Sequence, residues 1–151
     1  MWFHKLISTC LGIGYIGKGA GTIAAIATCI VWYFALAGGF PPLYPSLIIT
    51  LVITLLGVWS SDVVSKLWGD DPARVVIDEA AGMCISLLFL PANLKYIAAA
   101  LILFRFFDIV KPLYIKRFEK LPGGWGIMLD DVAAGIYANL LLQIALSFKL
   151  L

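Results

Sequence analysis

Charged residues are scarce in this chain. Asp, Glu, Lys and Arg make up 13% of its 151 residues, whereas hydrophobic residues make up 62%. A soluble domain usually has about a quarter of its residues charged and about half apolar. So few charges argue against an ordinary soluble domain and favour a membrane protein, built as a single domain over residues 1–151.

Histidine and paired cysteines are scarce as well. His4 is the only histidine, which argues against acid–base chemistry by histidine. Cys10, Cys29 and Cys84 have no CxxC or Cys/His spacing, a pattern typical of small buried hydrophobes rather than of disulfides or zinc ligands. A net charge of +2 is too small to suggest a nucleic-acid-binding protein, and no basic run is interleaved with aromatics.

Long apolar stretches are abundant by contrast. They cover residues 20–37, 44–61, 80–90, 96–108 and 132–148. A bilayer core cannot satisfy an open backbone, so helices are expected. We therefore predict an all-α fold, a polytopic membrane bundle of about four to five transmembrane or membrane-embedded helices. The two stretches that flank Pro91 are short for a span of ~20 residues, and fit short spans, a re-entrant pair or half-buried helices.

The charges concentrate in alternate connections. Segments 1–19, 62–79 and 105–131 carry nearly all of them, whereas turn 38–43 has none and turn 91–95 has only Lys95. Since successive helices alternate in direction, the charged segments fall on one side of the membrane. The positive-inside rule predicts that this side is cytoplasmic. We expect the N-terminal 1–17 to be an uncleaved first element rather than a signal peptide.

Two pairs of acidic residues stand where apolar stretches begin, Asp78 with Glu79 and Asp130 with Asp131. Each pair could simply cap a helix. However, Gly82 and Gly135 follow one turn later, and small residues let membrane helices approach closely. Four clustered carboxylates repel one another unless a divalent cation lies between them. Oxygen ligands favour Mg²⁺ over Zn²⁺, so we predict a magnesium site at these four residues.

Cationic residues occur in two further segments. In RFFDIVKP (105–112), we expect Arg105, Asp108 and Lys111 to share one helix face. They form either a surface ion pair or a phosphate clamp in which Asp108 orients Arg105 or adds a metal ligand. The glycine-rich GIGYIGKGAGT (12–22) could hold an anion with Lys18 and Thr22 at a helix start, or could serve helix packing. Basic residues at 116–120 suit anionic lipid headgroups.

These blocks occur in a recognisable order: AGT (20–22), DDP (70–72), VVIDEAAGM (75–83), RFFDIVKP (105–112) and GGWGIMLDDVAAG (123–135). In that order they resemble the phosphatidylglycerophosphatase A family over nearly the whole chain. Many members of the family read SP-x-xPGT in the first loop. Here Ile16-Gly17 and Ala20 stand at the Ser-Pro and Pro positions, while Gly21 and Thr22 match.

The resemblance implies a Mg²⁺-dependent lipid phosphatase, a multi-pass protein of the bacterial inner (cytoplasmic) membrane. Its substrate would be phosphatidylglycerophosphate, dephosphorylated to phosphatidylglycerol on the cytoplasmic side. The expected catalytic residues are Asp78, Glu79, Asp130, Asp131 and Asp108, of which the first four bind the metal. The expected phosphate-binding residues are Arg105, Lys111, Lys18 and Thr22. The nucleophile is either a metal-bound water or an aspartate.

Two other functions fit less well. CDP-alcohol phosphatidyltransferases also carry aspartates on membrane helices, but at i, i+4 spacing rather than as adjacent pairs. A small transporter would carry charges in the middle of its spans, whereas here they cluster at helix ends on one side.

Overall fold

The apolar stretches form helices joined by short connections. The structure, a computed structural model, describes residues 1–36, 39–69 and 72–151, and all regular secondary structure among them is helical. The α-helices are α1 (Trp2–Ser8), α2 (Ala20–Leu36), α3 (Leu43–Trp68), α4 (Ile77–Leu87), α5 (Leu94–Val110), α6 (Ile115–Phe118) and α7 (Gly124–Ser147), and a 3₁₀ turn covers Ile13–Ile16. The predicted all-α fold is confirmed.

Helix α4 lies at the centre of the bundle and packs against α2, α3, α5 and α7. Nine of its eleven residues are buried, among them Met83 and Leu87. Phe104 of α5 and Leu142 of α7 join them in the main apolar core. This central position carries the acidic first turn of α4 into the interior of the protein.

Two glycines allow α4 and α7 to touch backbone to backbone. A Cβ atom added at Gly135 would lie 2.4 Å from the carbonyl oxygen of Gly82. One added at Gly82 would lie 2.6 Å from the carbonyl oxygen of Asp131. Any side chain at either position would force the helices apart. The predicted close approach of the two acidic segments is confirmed.

Side-chain amides on α7 hold the other end of α4. Asn139 Nδ2 and Gln143 Nε2 both donate to the carbonyl oxygen of Leu88, at 2.8 and 3.1 Å. The turn that follows α4 is tied to the turn before α3, because the backbone N–H of Ala92 donates to the Gly39 carbonyl oxygen at 2.9 Å. This end of the bundle lies away from the acidic residues.

Two helices, α3 and α7, are long and apolar enough to cross a membrane. On α3, large apolar side chains such as Leu47, Ile48, Leu51 and Leu55 are exposed rather than packed in the core. Soluble proteins rarely present contiguous apolar surfaces of this kind to water. An outward apolar face is what a helix in contact with lipid requires.

Two predicted helix starts are wrong, and both matter for the acidic pairs. Helix α7 begins at Gly124 rather than at 132, so Asp130 and Asp131 lie inside it instead of preceding it. Helix α4 begins at Ile77, which places Asp78 and Glu79 in its first turn. The glycines that resemble a turn at 123–126 serve close packing, since a Cβ at Gly124 would lie 2.0 Å from the Val58 carbonyl oxygen.

Helix α3 likewise continues past 61 to Trp68. Asp62 and Lys66 therefore form an exposed i, i+4 ion pair of 2.9 Å on that helix, not part of a loop. Parts of the stretch 20–37, the turn 38–43 and the DDP sequence at 70–72 lie outside the described residues.

Candidate active site

Residues of four helices meet at one end of the bundle around a cavity of about 640 Å³. Helices α2 and α4 begin there, α5 ends there, and α7 contributes its acidic pair. The charged residues that line the cavity are Lys18, Arg74, Asp78, Glu79, Arg105, Asp108, Lys111, Asp130 and Asp131. Every charged residue that the sequence predicted for the site lies in this one cavity.

Three carboxylates converge within the cavity. One oxygen from each of Asp78, Glu79 and Asp131 lies within 4.8 Å of the other two. Asp78 and Asp131 are 9% and 3% exposed. Burial and mutual repulsion both disfavour three charged carboxylates at such short range. A cation at their centre would remove both penalties.

The ligand set fits a hard divalent cation. Asp78 Oδ1 and Glu79 Oε2 are buried and have no hydrogen-bond partner among the described residues. Buried polar atoms are normally satisfied, so unpaired ones call for an explanation such as an ion. The three converging groups offer only oxygen atoms, the ligands that Mg²⁺ prefers. Asp78, Glu79 and Asp131 are therefore suited to hold Mg²⁺.

Helix α2 lies close to the carboxylate of Glu79 at Gly21. A Cβ atom added at Gly21 would lie 1.9 Å from Glu79 Oε1. A side chain at residue 21 would displace the carboxylate of Glu79 from this position. The AGT sequence thus has a structural role at the site, in the packing of α2 against Glu79.

Arg105 of α5 lies beside the acidic cluster. It forms an ion pair with Asp108, as the i, i+3 spacing predicted, and its Nη1 lies 3.9 Å from Glu79 Oε1. The three side chains are mostly buried. Arg105 Nε is buried without a partner among the described residues. The guanidinium therefore keeps donor capacity for an anion in the cavity.

Lys111 does not share a helix face with Arg105, contrary to our prediction. Helix α5 ends at Val110 and Lys111 follows in the left-handed region, with φ 48°. Pro112 disfavours continuation of the helix at the residue before it. This turn directs Lys111 toward α7, where its Nζ lies 2.6 Å from Asp130 Oδ2 and also bonds to Glu119.

Lys111 remains a cation in this position. Burial lowers the pKa of its ammonium group, but the hydrogen bonds to Asp130 and Glu119 outweigh burial, and the net pKa is raised. Asp130, which the sequence grouped with the metal ligands, is thus bound to Lys111 and lies outside the converging triad. Its Oδ1 is buried and unpaired among the described residues.

The glycine-rich loop before α2 forms another wall of the cavity. Lys18 is exposed there, between Gly17 and Gly19, which have φ angles of 96° and 84°. Thr22 is half-buried on α2 and is not among the residues that line the cavity. The loop therefore supplies one cation rather than the Lys and Thr pair that the sequence suggested.

Sequence reasoning missed Arg74. This exposed residue lines the cavity, and its guanidinium carbon lies 5.7 Å from the centre of the Trp68 ring. The backbone of Arg74 packs closely on Gly14, where an added Cβ would lie 1.9 Å from the Arg74 carbonyl oxygen. The available signal was its place just before VVIDEAAGM, but no spacing rule links it to the other cations.

A buried oxygen cluster beside several cations, at one end of an apolar bundle, is suited to binding a divalent cation together with a phosphate group. Fold and site define a helical, membrane-associated enzyme of phosphate chemistry. The chain belongs to the phosphatidylglycerophosphatase A family, whose sequence profile matches residues 6–146. It is accordingly a phosphatase.

Three relatives illustrate the family. A Bacteroides thetaiotaomicron protein with the provisional name phosphatidylinositol-3-phosphatase is 40% identical over 147 residues, covering 93% of this chain and 91% of its own. The phosphatidylglycerophosphatase A of Haemophilus influenzae is 38% identical, covering 88% of this chain and 82% of its own. That of Escherichia coli is 35% identical, with coverages of 87% and 76%. No solved structure matches the chain significantly.

Proposed function

We propose that this phosphatase removes the terminal phosphate of phosphatidylglycerophosphate, giving phosphatidylglycerol and inorganic phosphate in phospholipid biosynthesis, with Mg²⁺ as its cofactor. Two relatives that carry the name of this activity support the substrate. The observation that carries the proposal is the convergence of Asp78, Glu79 and Asp131 beside Arg105 and Lys111 in one cavity.

Each charged group has a proposed role. Asp78, Glu79 and Asp131 would hold Mg²⁺, which when bound polarises the phosphate ester and offsets its negative charge. Arg105 would bind phosphate oxygens in a planar, paired geometry, with Asp108 keeping its guanidinium in place. Lys111, positioned by Asp130, and Lys18 on the opposite wall would neutralise charge that develops during phosphoryl transfer.

We further propose that the protein is a multi-pass protein of the bacterial inner membrane, with four to five membrane helices and the cavity facing the cytoplasm. The cavity lies where α2 and α4 begin and α5 ends, as expected for helices that alternate in direction. The exposed basic residues Lys116, Arg117 and Lys120 lie near this end, where the positive-inside rule predicts cytoplasm. They would also attract anionic headgroups, at about 1 kcal/mol each.

A second substrate is favoured by the name of the Bacteroides relative. Phosphatidylinositol 3-phosphate also carries a phosphomonoester on a lipid headgroup, but its inositol headgroup is larger than the glycerol headgroup of phosphatidylglycerophosphate. The same cluster and cations would serve either substrate, so the two differ in headgroup fit rather than in chemistry.

Phosphate release from purified protein tests the proposal. The two lipids are compared in identical mixed micelles with Mg²⁺, and the lipid product is identified by mass spectrometry. We expect a clearly higher kcat/KM for phosphatidylglycerophosphate and a product that is phosphatidylglycerol. A preference for the inositol lipid would overturn the substrate. Formation of a new phosphodiester instead of free phosphate would indicate a transferase, and no turnover of either lipid would favour a transporter.

A further inference from the structure

An apolar groove adjoins the polar cavity on α2 and α4. It has a volume of about 520 Å³ and is lined by residues of α1, α2, α3 and α4 and of segment 10–13. Helix α2 packs on α4 and α5 while α3 packs on α1, α4 and α7, which leaves this gap between the two. Small residues of α2 and α4, namely Ala24, Ala27, Thr28 and Ala80, form its floor.

The lining is almost entirely apolar. Its side chains are aliphatic or aromatic apart from Thr28, Cys10 and Cys84. The Thr28 hydroxyl donates to the Ala24 carbonyl oxygen at 2.9 Å, and the Cys10 thiol to that of Val76 at 3.6 Å. Trp32 Nε1 is buried without a partner among the described residues. With so few polar groups, the groove suits a hydrocarbon chain.

The groove adjoins the proposed catalytic cavity on two helices, α2 and α4. On α4, Asp78 and Glu79 line the cavity while Ile77 and Ala80 line the groove. On α2, Gly21 lines the cavity and Ala24, one turn further, lines the groove. A molecule with a charged head and an apolar tail could therefore occupy both at once.

The length of the groove matches a lipid chain within one leaflet. Along α2 it extends from Ala24 to Trp32, which corresponds to ~12 Å of helix. Half of a hydrocarbon core of ~30 Å is ~15 Å. The groove thus spans most of the depth that one acyl chain occupies in the leaflet nearest the cavity.

On these grounds we propose that the groove between α2 and α3 binds an acyl chain of the lipid substrate and thereby sets the position of its phosphate in the cavity. The proposal rests on the proposed function. In a bilayer the chain exchanges one apolar environment for another, so the groove contributes little affinity from the hydrophobic effect. Its contribution is packing, which fixes the depth and orientation of the headgroup relative to Asp78 and Arg105.

Filling the groove tests this proposal. Ala27→Phe places a ring in the groove, and Ile26→Phe, on the exposed opposite face of the same helix, is the control. Val31→Trp fills the groove from its exposed rim, in case Ala27→Phe does not fold. Each is assayed with dipalmitoyl and with dibutyryl phosphatidylglycerophosphate.

We expect Ala27→Phe and Val31→Trp to lower kcat/KM for the dipalmitoyl lipid by on the order of tenfold or more, because displacing a reacting group by ~1 Å is enough for such losses. Turnover of the dibutyryl lipid, whose chains are too short to fill the groove, should stay close to that of the wild type. Equal losses on both lipids, or none on either, would overturn the proposal, as would the same loss in Ile26→Phe.

Photolabelling separates this proposal from the proposed function. Phosphatidylglycerophosphate with a diazirine at the middle of one chain is crosslinked to wild-type protein, and the adducts are mapped by mass spectrometry. We expect adducts concentrated on 24–32 and 49–56, and their loss in Ala27→Phe but not in Ile26→Phe. Labelling spread evenly over the outer helix faces would overturn the proposal that the groove binds an acyl chain, even if phosphate is released. Concentrated labelling without turnover would support the groove and contradict the proposed function.

Discussion

Asp131 is the residue whose replacement separates the roles proposed for the acidic groups most clearly. Asp131→Asn keeps the size of the side chain and a carbonyl oxygen but removes one negative charge from the triad. We expect kcat to fall on the order of a hundredfold, as for loss of a principal electrostatic group. The protein should still fold, because the change also relieves repulsion with Asp78 and Glu79. Phosphate release and thermal unfolding are measured together.

Two further aspartate variants serve as comparisons for Asp131→Asn. Asp62→Asn removes an acid of α3 that pairs with Lys66 at the surface, outside the cavity, and should leave turnover nearly unchanged. Asp130→Asn should be milder than Asp131→Asn, since Asp130 acts through Lys111. If a folded Asp131→Asn protein had wild-type turnover, Asp131 would not be a ligand of the proposed metal site.

Most of the charged residues that line the cavity could be identified from the sequence, because acids are rare in this chain and pairs of them stand out. The pairing of Arg105 with Asp108 followed from helical spacing alone. The direction of the Lys111 side chain could not be predicted in this way, because it depends on the left-handed backbone conformation of Lys111 before Pro112. The position of Arg74 could not be predicted either, because Arg74 lines the cavity from a connection without regular secondary structure.

The contact between α4 and α7 brings the proposed metal ligands together, and Gly135 permits this contact. Gly135→Ala would place a Cβ atom 2.4 Å from the Gly82 carbonyl oxygen, so the helices must separate. We expect a loss of about 1–3 kcal/mol in the free energy of unfolding, typical of overpacking. Turnover should fall as well, because Asp131 moves away from Asp78 with its helix.

Gly39→Ala is the control for that substitution. A Cβ there would lie 3.4 Å from the Leu36 carbonyl oxygen, an ordinary contact, and stability should change little. If Gly135→Ala were as stable and as active as the wild type, the helices would not depend on this contact for their spacing.

At the level of helices, the number and order of apolar elements were predictable, whereas their starts were not. Glycine has two uses, in turns and in close packing, and the letters GGWG do not distinguish them. Gly124 packs on the backbone of α3, so α7 runs through a segment that resembles a turn. The capping explanation for Asp130 and Asp131 fails for the same reason, since both lie within the helix.

For the whole molecule, the arrangement of helix ends predicts a single functional side. Single cysteines at Ala73 and Lys120, in a background lacking Cys10, Cys29 and Cys84, should react with an impermeant maleimide only from the cytoplasmic side. A cysteine at Phe40 should react only from the other side. Both groups of positions are exposed in the structure, so a lack of labelling would reflect sidedness rather than burial. Labelling of Ala73 and Lys120 positions from opposite sides would contradict one shared site.

Removal of divalent cations tests the magnesium site most directly. Wild-type and Asp131→Asn proteins are treated with a chelator, and Mg²⁺ is then added back while turnover and thermal stability are followed. We expect chelation to abolish wild-type turnover and Mg²⁺ to restore it. Mg²⁺ at a hundred times its Kd should also stabilise the wild type by ~2.7 kcal/mol, and Asp131→Asn much less. Full turnover without metal, or equal stabilisation of both proteins by Mg²⁺, would contradict a site formed by Asp78, Glu79 and Asp131.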